Sequence, residues 1–436
     1  MVCPVCKSDS VSVNLHRIQY SDKAYSISSC RSCDSWFYDP FPTPDYKEGL
    51  NSEISLRHYL ETCAGIETLV TIAENFFSNY TTGGKKGLEI GCGFGFISHY
   101  LEFMHDQKMT AYEPSEYGVK GKELLGLEII KDFFKSNEKD VYDFCISTEV
   151  IEHIEDPVAF TSDIRKSLTE DGKLLLSTPD KDAIRLDKME PVDIALLSPG
   201  MHTILFSETS LKKMLQLAGF QHVIIKKNGA TLYAIASQTP LKDKDLFSTD
   251  YNKVTNYYQH VYHIARPDSP LYKGIFYRLL GLQVNFGLYQ EAINLIKNNP
   301  GFFVITEEDI VNIKSEDDLT VFYCLSDSIV YFYCGMLYLN YLSNFEKAAN
   351  LFLLSFLSCQ KRLSLVPHFA IVDADIIWLA KFHQGLAHQH SGNLVKAAQC
   401  YIEVLSFKKG IDSIPAPGES SRSEARSRLK QIVDSL

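Results

Sequence analysis

Glu89-Ile90-Gly91-Cys92-Gly93-Phe94-Gly95 is the stretch on which the fold turns. It closes a short apolar run and opens a helical pattern, so it reads as a strand-to-helix turn. Glycines at 91, 93 and 95 let backbone approach a ligand closely and present amide donors to it. The next predicted strand ends in Ala111-Tyr112-Glu113-Pro114, which places Glu113 24 residues after Glu89. A carboxylate there can accept both hydroxyls of a ribose. A dinucleotide-binding enzyme offers the same pair, so these two features leave the ligand open.

Working outward, short apolar runs at 87–91, 109–112, 128–131, 142–147, 173–177, 222–226 and 232–236 alternate with helical stretches. Strands separated by helical crossovers imply an α/β domain with a largely parallel sheet and helices on both faces.

The segment Tyr142-Asp143-Phe144-Cys145-Ile146-Ser147-Thr148-Glu149-Val150-Ile151-Glu152-His153-Ile154-Glu155-Asp156-Pro157 resembles the fourth strand and following helix of class I S-adenosylmethionine-dependent methyltransferases. Leu168-Thr169-Glu170-Asp171-Gly172-Lys173-Leu174-Leu175-Leu176-Ser177-Thr178-Pro179 is similar to their fifth strand. His202 to Phe220 is similar to their late helix. The resemblance covers residues 85 to about 238 and implies a Rossmann-like seven-stranded sheet with S-adenosylmethionine as cofactor. It assigns Glu89 to the amino group of the methionyl part, Gly91, Gly93 and Gly95 to the turn beneath it, and Glu113 to the ribose. Asp132 would meet the adenine amino group and Phe133 would cover the ring.

Cys3-x2-Cys6 and Cys30-x2-Cys33, with 23 residues between the pairs, can present four thiolates tetrahedrally to one Zn2+. Four sulfurs leave no open position, so this zinc would be structural. The cysteine segment, leading into Asp39-Pro40-Phe41-Pro42-Thr43, also looks like the one attached to some bacterial methyltransferases, several of which modify sugars in polysaccharide or antibiotic pathways.

Glu149, Glu152 and His153 stand at i, i+3 and i+4, so a helix beginning at this strand end would put them on one face. With His202 they resemble the Glu-x-x-Glu-His set of ubiquinone-pathway O-methyltransferases and small-RNA 2′-O-methyltransferases. In those enzymes the matching residues hold a divalent cation. That resemblance implies Mg2+ or Mn2+ lowering the pKa of an acceptor hydroxyl. Without a metal, His202 or His153 would be the general base.

The remainder sets the boundaries. Residues 1–45 are the zinc-ribbon segment, 46–84 a helical lead-in with Ile66, Leu69, Val70 and Ala73 on one face, 85–240 the methyltransferase domain, and 241–266 a linker. Residues 267–436 read as an all-α domain of helical hairpins. Three similar turns, Gly287-Leu288-Tyr289-Gln290-Glu291-Ala292, Ser343-Asn344-Phe345-Glu346-Lys347-Ala348 and Gly392-Asn393-Leu394-Val395-Lys396-Ala397, resemble degenerate tetratricopeptide repeats. Their spacings of 56 and 49 residues depart from that family's period of about 34.

A net charge of -11 argues against nucleic acid as partner, since such binding draws on phosphate neutralisation. The N-terminus lacks a basic stretch followed by an apolar run, which predicts a cytoplasmic protein, and its eleven cysteines then argue against a disulfide framework. The uncharged run 328–345 carries Asn340 and Asn344 and reads as a buried helix, with no membrane span. The leading expectation is an O-methyltransferase acting on a hydroxyl of a sugar or glycan precursor. Alternatives are C-methylation of a nucleotide-linked sugar, methylation of RNA, and an inactive methyltransferase fold whose helical domain binds a protein partner or a second copy.

Overall fold

The computed structural model describes residues 2–20, 22–44, 56, 60, 65–81, 86–136, 141–189, 191–267, 269–303, 306–315, 318, 327–365, 371–407 and 416–435. They pack as two units, Met1–Ser52 with Ile66–Tyr257, and Glu53–Gly65 with Tyr258–Leu436.

The first unit opens with three antiparallel strands, β1 (Val11–Tyr20), β2 (Lys23–Cys30) and β3 (Trp36–Tyr38). Then follow β4 (Lys86–Ile90), β5 (Lys108–Tyr112), β6 (Ile129–Ile130), β7 (Tyr142–Thr148), β8 (Leu168–Pro179), β9 (Ile204–Leu205), β10 (His222–Asn228) and β11 (Thr231–Ser237). All but β9 form a seven-stranded sheet of order β10-β11-β8-β7-β4-β5-β6, with β4 to β8 parallel and β11 antiparallel to both neighbours. The seven expected strands are all present. Phe144, Cys145 and Ile146 on β7 and Leu174, Leu175 and Leu176 on β8 are fully buried, because a parallel strand covered on both faces has no solvent side.

Strand β9 belongs elsewhere. It pairs with β3, Trp36 opposite Leu205 and Phe37 opposite Ile204, and completes the N-terminal sheet. The cysteine segment, expected to stand apart, is thus built into the same unit as the large sheet.

The helices of this unit are α1 (Ile66–Tyr80), α2 (Phe96–His105), α3 (Glu116–Leu125), α4 (Pro157–Lys166), α5 (Pro191–Leu197), α6 (Glu208–Leu217) and the first part, to Tyr257, of α7 (Tyr251–Ile264). The α1 face expected from the sequence is buried at Ile66, Val70 and Ala73, while most of 46–65 lies outside the described residues. Helix α7 falls where the sequence reading placed a linker. Its Val254, Tyr257, Tyr258 and Val261 are buried at helical spacing, and Asp250 accepts from the Asn252 and Lys253 amides at its start. Lys253 and Tyr100 both donate to Glu74, joining α7 and α2 to α1.

In the second unit α8 (Pro270–Asn285) and α9 (Tyr289–Lys297) form one hairpin, followed by α10 (Glu307–Asn312). Two more hairpins are α11 (Asp327–Asn340) with α12 (Phe345–Leu365) and α13 (Ile371–His390) with α14 (Leu394–Ser406), and α15 (Glu419–Ser435) closes the chain. The three expected turns are present: Gly287, Ser343 and Gly392 adopt positive φ, and Ala292, Ala348 and Ala397 are fully buried where the second helix meets its partner. The uncharged run is the buried helix α11 and its turn. Among the described residues no helix is long and apolar enough to cross a membrane.

Helix α3 lies against the glycine turn so closely that a Cβ on Gly121 would sit 2.4 Å from the Phe94 carbonyl oxygen. Alanine for glycine inside a helix ordinarily gains up to about 1 kcal/mol. Here Gly121→Ala is expected to cost about 1–2 kcal/mol, because backbone must move. A urea titration read through amide exchange of β4 and β5 measures the sign; a gain in stability would refute the close approach.

Candidate functional site

The chain runs β4, β5, β6 toward one edge of the sheet, then crosses back to β7 and β8 on the other side of β4. Loops leaving the carboxyl ends of β4 and β7 therefore diverge and open a crevice, the place where open α/β sheets hold ligands. Glu89 to Gly95, Glu113, Asp132 and Glu149 all follow such strand ends.

In the turn, the Gly91 and Cys92 amides donate to the Tyr112 carbonyl at 2.8 and 3.1 Å, tying it to β5. Gly91 and Gly95, at φ +70° and +80°, are packed against Val150 and Leu127, whereas a Cβ on Gly93 at φ +54° would meet nothing within 4 Å. Gly93 is thus the open side of the turn. Its amide donates to Glu113 Oε2 at 2.9 Å and the Ser115 amide to Oε1 at 2.9 Å, which orients the Glu113 carboxylate at the lip of the crevice.

Glu89 does something the sequence did not suggest. It is 3% exposed, and its Oε2 accepts from the amide of Ser98 at 2.9 Å and from the Ser98 hydroxyl. It thereby caps α2, whose own N-cap, Gly95, has no side chain to offer. Burial pushes its carboxyl up to about 8 despite those donors. At the end of β6, Asp132 Oδ1 accepts from the Phe133 amide at 2.8 Å, and Phe133 is 47% exposed. Phe134 is turned edge-on to Tyr112.

After β7 the chain takes no α-helix. Glu149 has φ +55°, Ile151–His153 form a single 3-10 turn, and α4 starts only at Pro157, capped by Asp156. Glu149, Glu152 and His153 consequently do not share a helix face. Glu149 is turned aside, its Oε1 accepting from the Ser177 hydroxyl at 2.7 Å. Glu152, His153 and His202 converge instead, each with a ligand-capable atom within 4.8 Å of the others.

The convergence has a defined electronic state. His153 Nδ1 donates to the Met201 carbonyl and His202 Nδ1 to the Leu196 carbonyl, both at 3.0 Å. A carbonyl can only accept, so both rings keep a lone pair on Nε2. Burial lowers the pKa of both imidazoles, that of His202 to about 3 with a further contribution from His153. Glu152 is 1% exposed, and neither carboxylate oxygen has a hydrogen-bond partner among the described residues. Burial, then the Glu149 carboxylate, drives its carboxyl well above the usual range. The group fits a divalent cation: two neutral imidazoles with fixed tautomers and one dry carboxylate lacking a partner.

Thr203, which the sequence reading passed over, holds the two halves of this group together. Its amide and hydroxyl both donate to the Glu152 carbonyl, at 2.7 and 2.8 Å. Its place one residue after His202 was the available signal.

Far along the N-terminal sheet, Cys3 Sγ lies 3.6 Å from Cys33 Sγ and Cys6 Sγ 3.5 Å from Cys30 Sγ. The four sulfurs all lie within 4.8 Å of one another. Each Cys-x-x-Cys closes a turn in which the residue after the second cysteine, Lys7 or Asp34, has positive φ and donates its amide to the carbonyl of the first cysteine. Two such matched turns fit one tetrahedral zinc.

Residues 66–224 match the family described as "Methyltransferase domain". Among curated proteins the chain is 29% identical over 118 residues to the ubiquinone biosynthesis O-methyltransferase of Idiomarina loihiensis, covering 24% of this chain and 48% of that one. The chain thus spans about half the length of the curated relative it matches. Similar solved structures include the plantazolicin methyltransferase BpumL in complex with SAH, 12% identical with a TM-score of 0.35, covering 42% of this chain and 88% of that one. Another is human N-acetylserotonin methyltransferase in complex with SAM, 17% identical with a TM-score of 0.32, covering 42% and 55%. The stretch matching the methyltransferase-domain family thus contains the glycine turn and the strands β4 to β8 of the large sheet.

Proposed function

We propose that this chain transfers the methyl group of S-adenosylmethionine to a hydroxyl of a sugar or glycan precursor, assisted by a divalent cation held between Glu152, His153 and His202. The observation that carries the metal part is the pairing of two carbonyl-locked imidazoles with a buried carboxyl group, Glu152, whose Oε1 lies 4.0 Å from His153 Nε2. In the reaction the acceptor O–H gives up its proton, the new O–CH3 bond forms, and the S–CH3 bond breaks to leave S-adenosylhomocysteine.

The chain's own residues divide the work. Gly91, Gly93 and Gly95 shape the turn under the methionyl part, Glu89 holds that turn to α2, and Glu113 accepts from the ribose hydroxyls. Asp132 and Phe133 serve the adenine. A bound Mg2+ or Mn2+ would supply Lewis acidity to the acceptor hydroxyl. Glu149 would join the ligand set on releasing Ser177. The alternative, His202 or His153 as general base, is disfavoured by burial, which lowers both imidazoles, His202 to about 3, and so weakens their hold on a hydroxyl proton at neutral pH. The four cysteines hold a structural zinc, and the helical hairpins serve as a surface for a protein partner or a second copy.

Two experiments test this. Labelled S-adenosylmethionine should bind the wild-type chain, and Gly93→Arg, which fills the open side of the turn, should lower affinity at least about a hundredfold, or about 2.7 kcal/mol. Absent binding by wild type, or equal binding by the variant, sinks the enzyme reading. For the metals, wild type should retain one zinc through dialysis and should gain activity on adding Mg2+ or Mn2+ after EDTA treatment. Glu152→Gln and His202→Ala should each remove that gain while leaving cofactor affinity within about threefold, since neither touches the glycine turn. Activity indifferent to EDTA and to both variants would discard the second metal.

A further inference from the structure

We infer that the acceptor is seated in a cavity between the N-terminal sheet and the loop before His202, and that it carries a ring and an anionic group recognised by Lys23. The inference rests on the methyltransferase reading and deepens it. The cavity measures about 590 Å3, within the range that holds small organic ligands. Strand β2 contributes Lys23 and Tyr25, the stretch after β3 contributes Phe41 and Pro42, and Gly200 and Met201 form the remaining wall.

Three observations make this a built site for the acceptor. First, one wall of the cavity is the loop that leads into His202. Met201 supplies the carbonyl that orients His153, and His202 is the next residue. The cavity wall and the supports of the Glu152–His153–His202 group are therefore carried on one loop. Second, the two sides are fitted to each other. Gly200 stands at φ +94°, and a Cβ there would lie 2.8 Å from the Tyr25 hydroxyl, so only glycine lets the loop close against β2. Pairing of β3 with both β2 and β9 ties the strand beside this wall to the segment that follows the loop.

Third, the lining has a chemical signature. Tyr25, Phe41 and the proline rings present flat C–H and π surfaces, which stack on the faces of a ring. Lys23 is the one charged residue among the described lining residues, and no carboxylate accompanies it there. It is exposed at the start of β2. A cation without a carboxylate among the described lining residues attracts an anionic substituent such as a phosphate. An aryl phosphate and a glycosyl phosphate share that chemistry.

Calorimetry on the full chain with two matched pairs of probes tests the inference, phenyl phosphate against phenol and glucose 1-phosphate against glucose. The phosphorylated member of at least one pair should bind about tenfold more tightly than its neutral partner, and the pair that shows this identifies the ring. Lys23→Glu should erase the preference while leaving the neutral partner within about twofold, Lys23→Arg should retain it, and Tyr25→Ala should weaken both members. Equal affinity within both pairs, or a preference that survives Lys23→Glu, overturns the inference. Labelled cofactor binding on the same variants separates the two readings. Lys23→Glu should bind the cofactor as wild type does, whereas a wild-type chain that binds no cofactor refutes the methyltransferase reading whatever the probes show.

Discussion

Strand β4 is paired in parallel on both sides, with β5 and with β7, and the first unit is organised by that constraint. A parallel neighbour cannot be reached by a hairpin, so each pairing requires a crossover, and two crossovers departing in opposite directions force their loops apart. The crevice is a consequence of topology before any side chain is considered. The glycine turn at the end of β4 lies there, held by its Gly91 and Cys92 amides on the Tyr112 carbonyl and its Gly93 amide on the Glu113 carboxylate.

The group on the other side of the crevice is held by a different kind of force. The buried Glu152 carboxyl makes no hydrogen bond among the described residues, which costs about 1–3 kcal/mol that the surrounding contacts must outweigh. Thr203 fastens the 3-10 turn to the β9 segment, and the Met201 and Leu196 carbonyls fix both rings. Such over-determination keeps a polar group unsatisfied in the folded state, and the positive φ of Glu149 beside it is a second local cost at the same place.

What the sequence made legible was periodic. All seven strands and the three hairpin turns followed from alternation of apolar runs with turn residues, because burial imposes those periods wherever it occurs. The Glu149–His153 stretch was misread because the spacing i, i+3, i+4 carries meaning only inside a helix, and the chain delays its helix to Asp156-Pro157. That pair was itself a start signal, an N-cap acid followed by proline at the first helical position. Helix α7 was likewise visible in Val254, Tyr257, Tyr258 and Val261, hidden only by the polar run before it. The second role of Glu89 could not be read, since its partner Ser98 becomes a neighbour only through the geometry of the turn.

The N-terminal sheet shows how a small segment with little core of its own acquires a fixed position. Its cysteines sit at one end, where two matched turns bring four sulfurs together. Just beyond them β3 pairs with β9, and the Tyr38 hydroxyl donates to the Leu197 carbonyl at 3.0 Å. Leu197 follows the residue whose carbonyl orients His202, so adjacent peptide units of α5 receive one bond from the sheet and one from the site. Movement of β3 would therefore pull on the segment that sets the direction of the His202 ring. The cysteine cluster and the histidine pair, far apart along the sequence, are in this way connected through β3 and the end of α5.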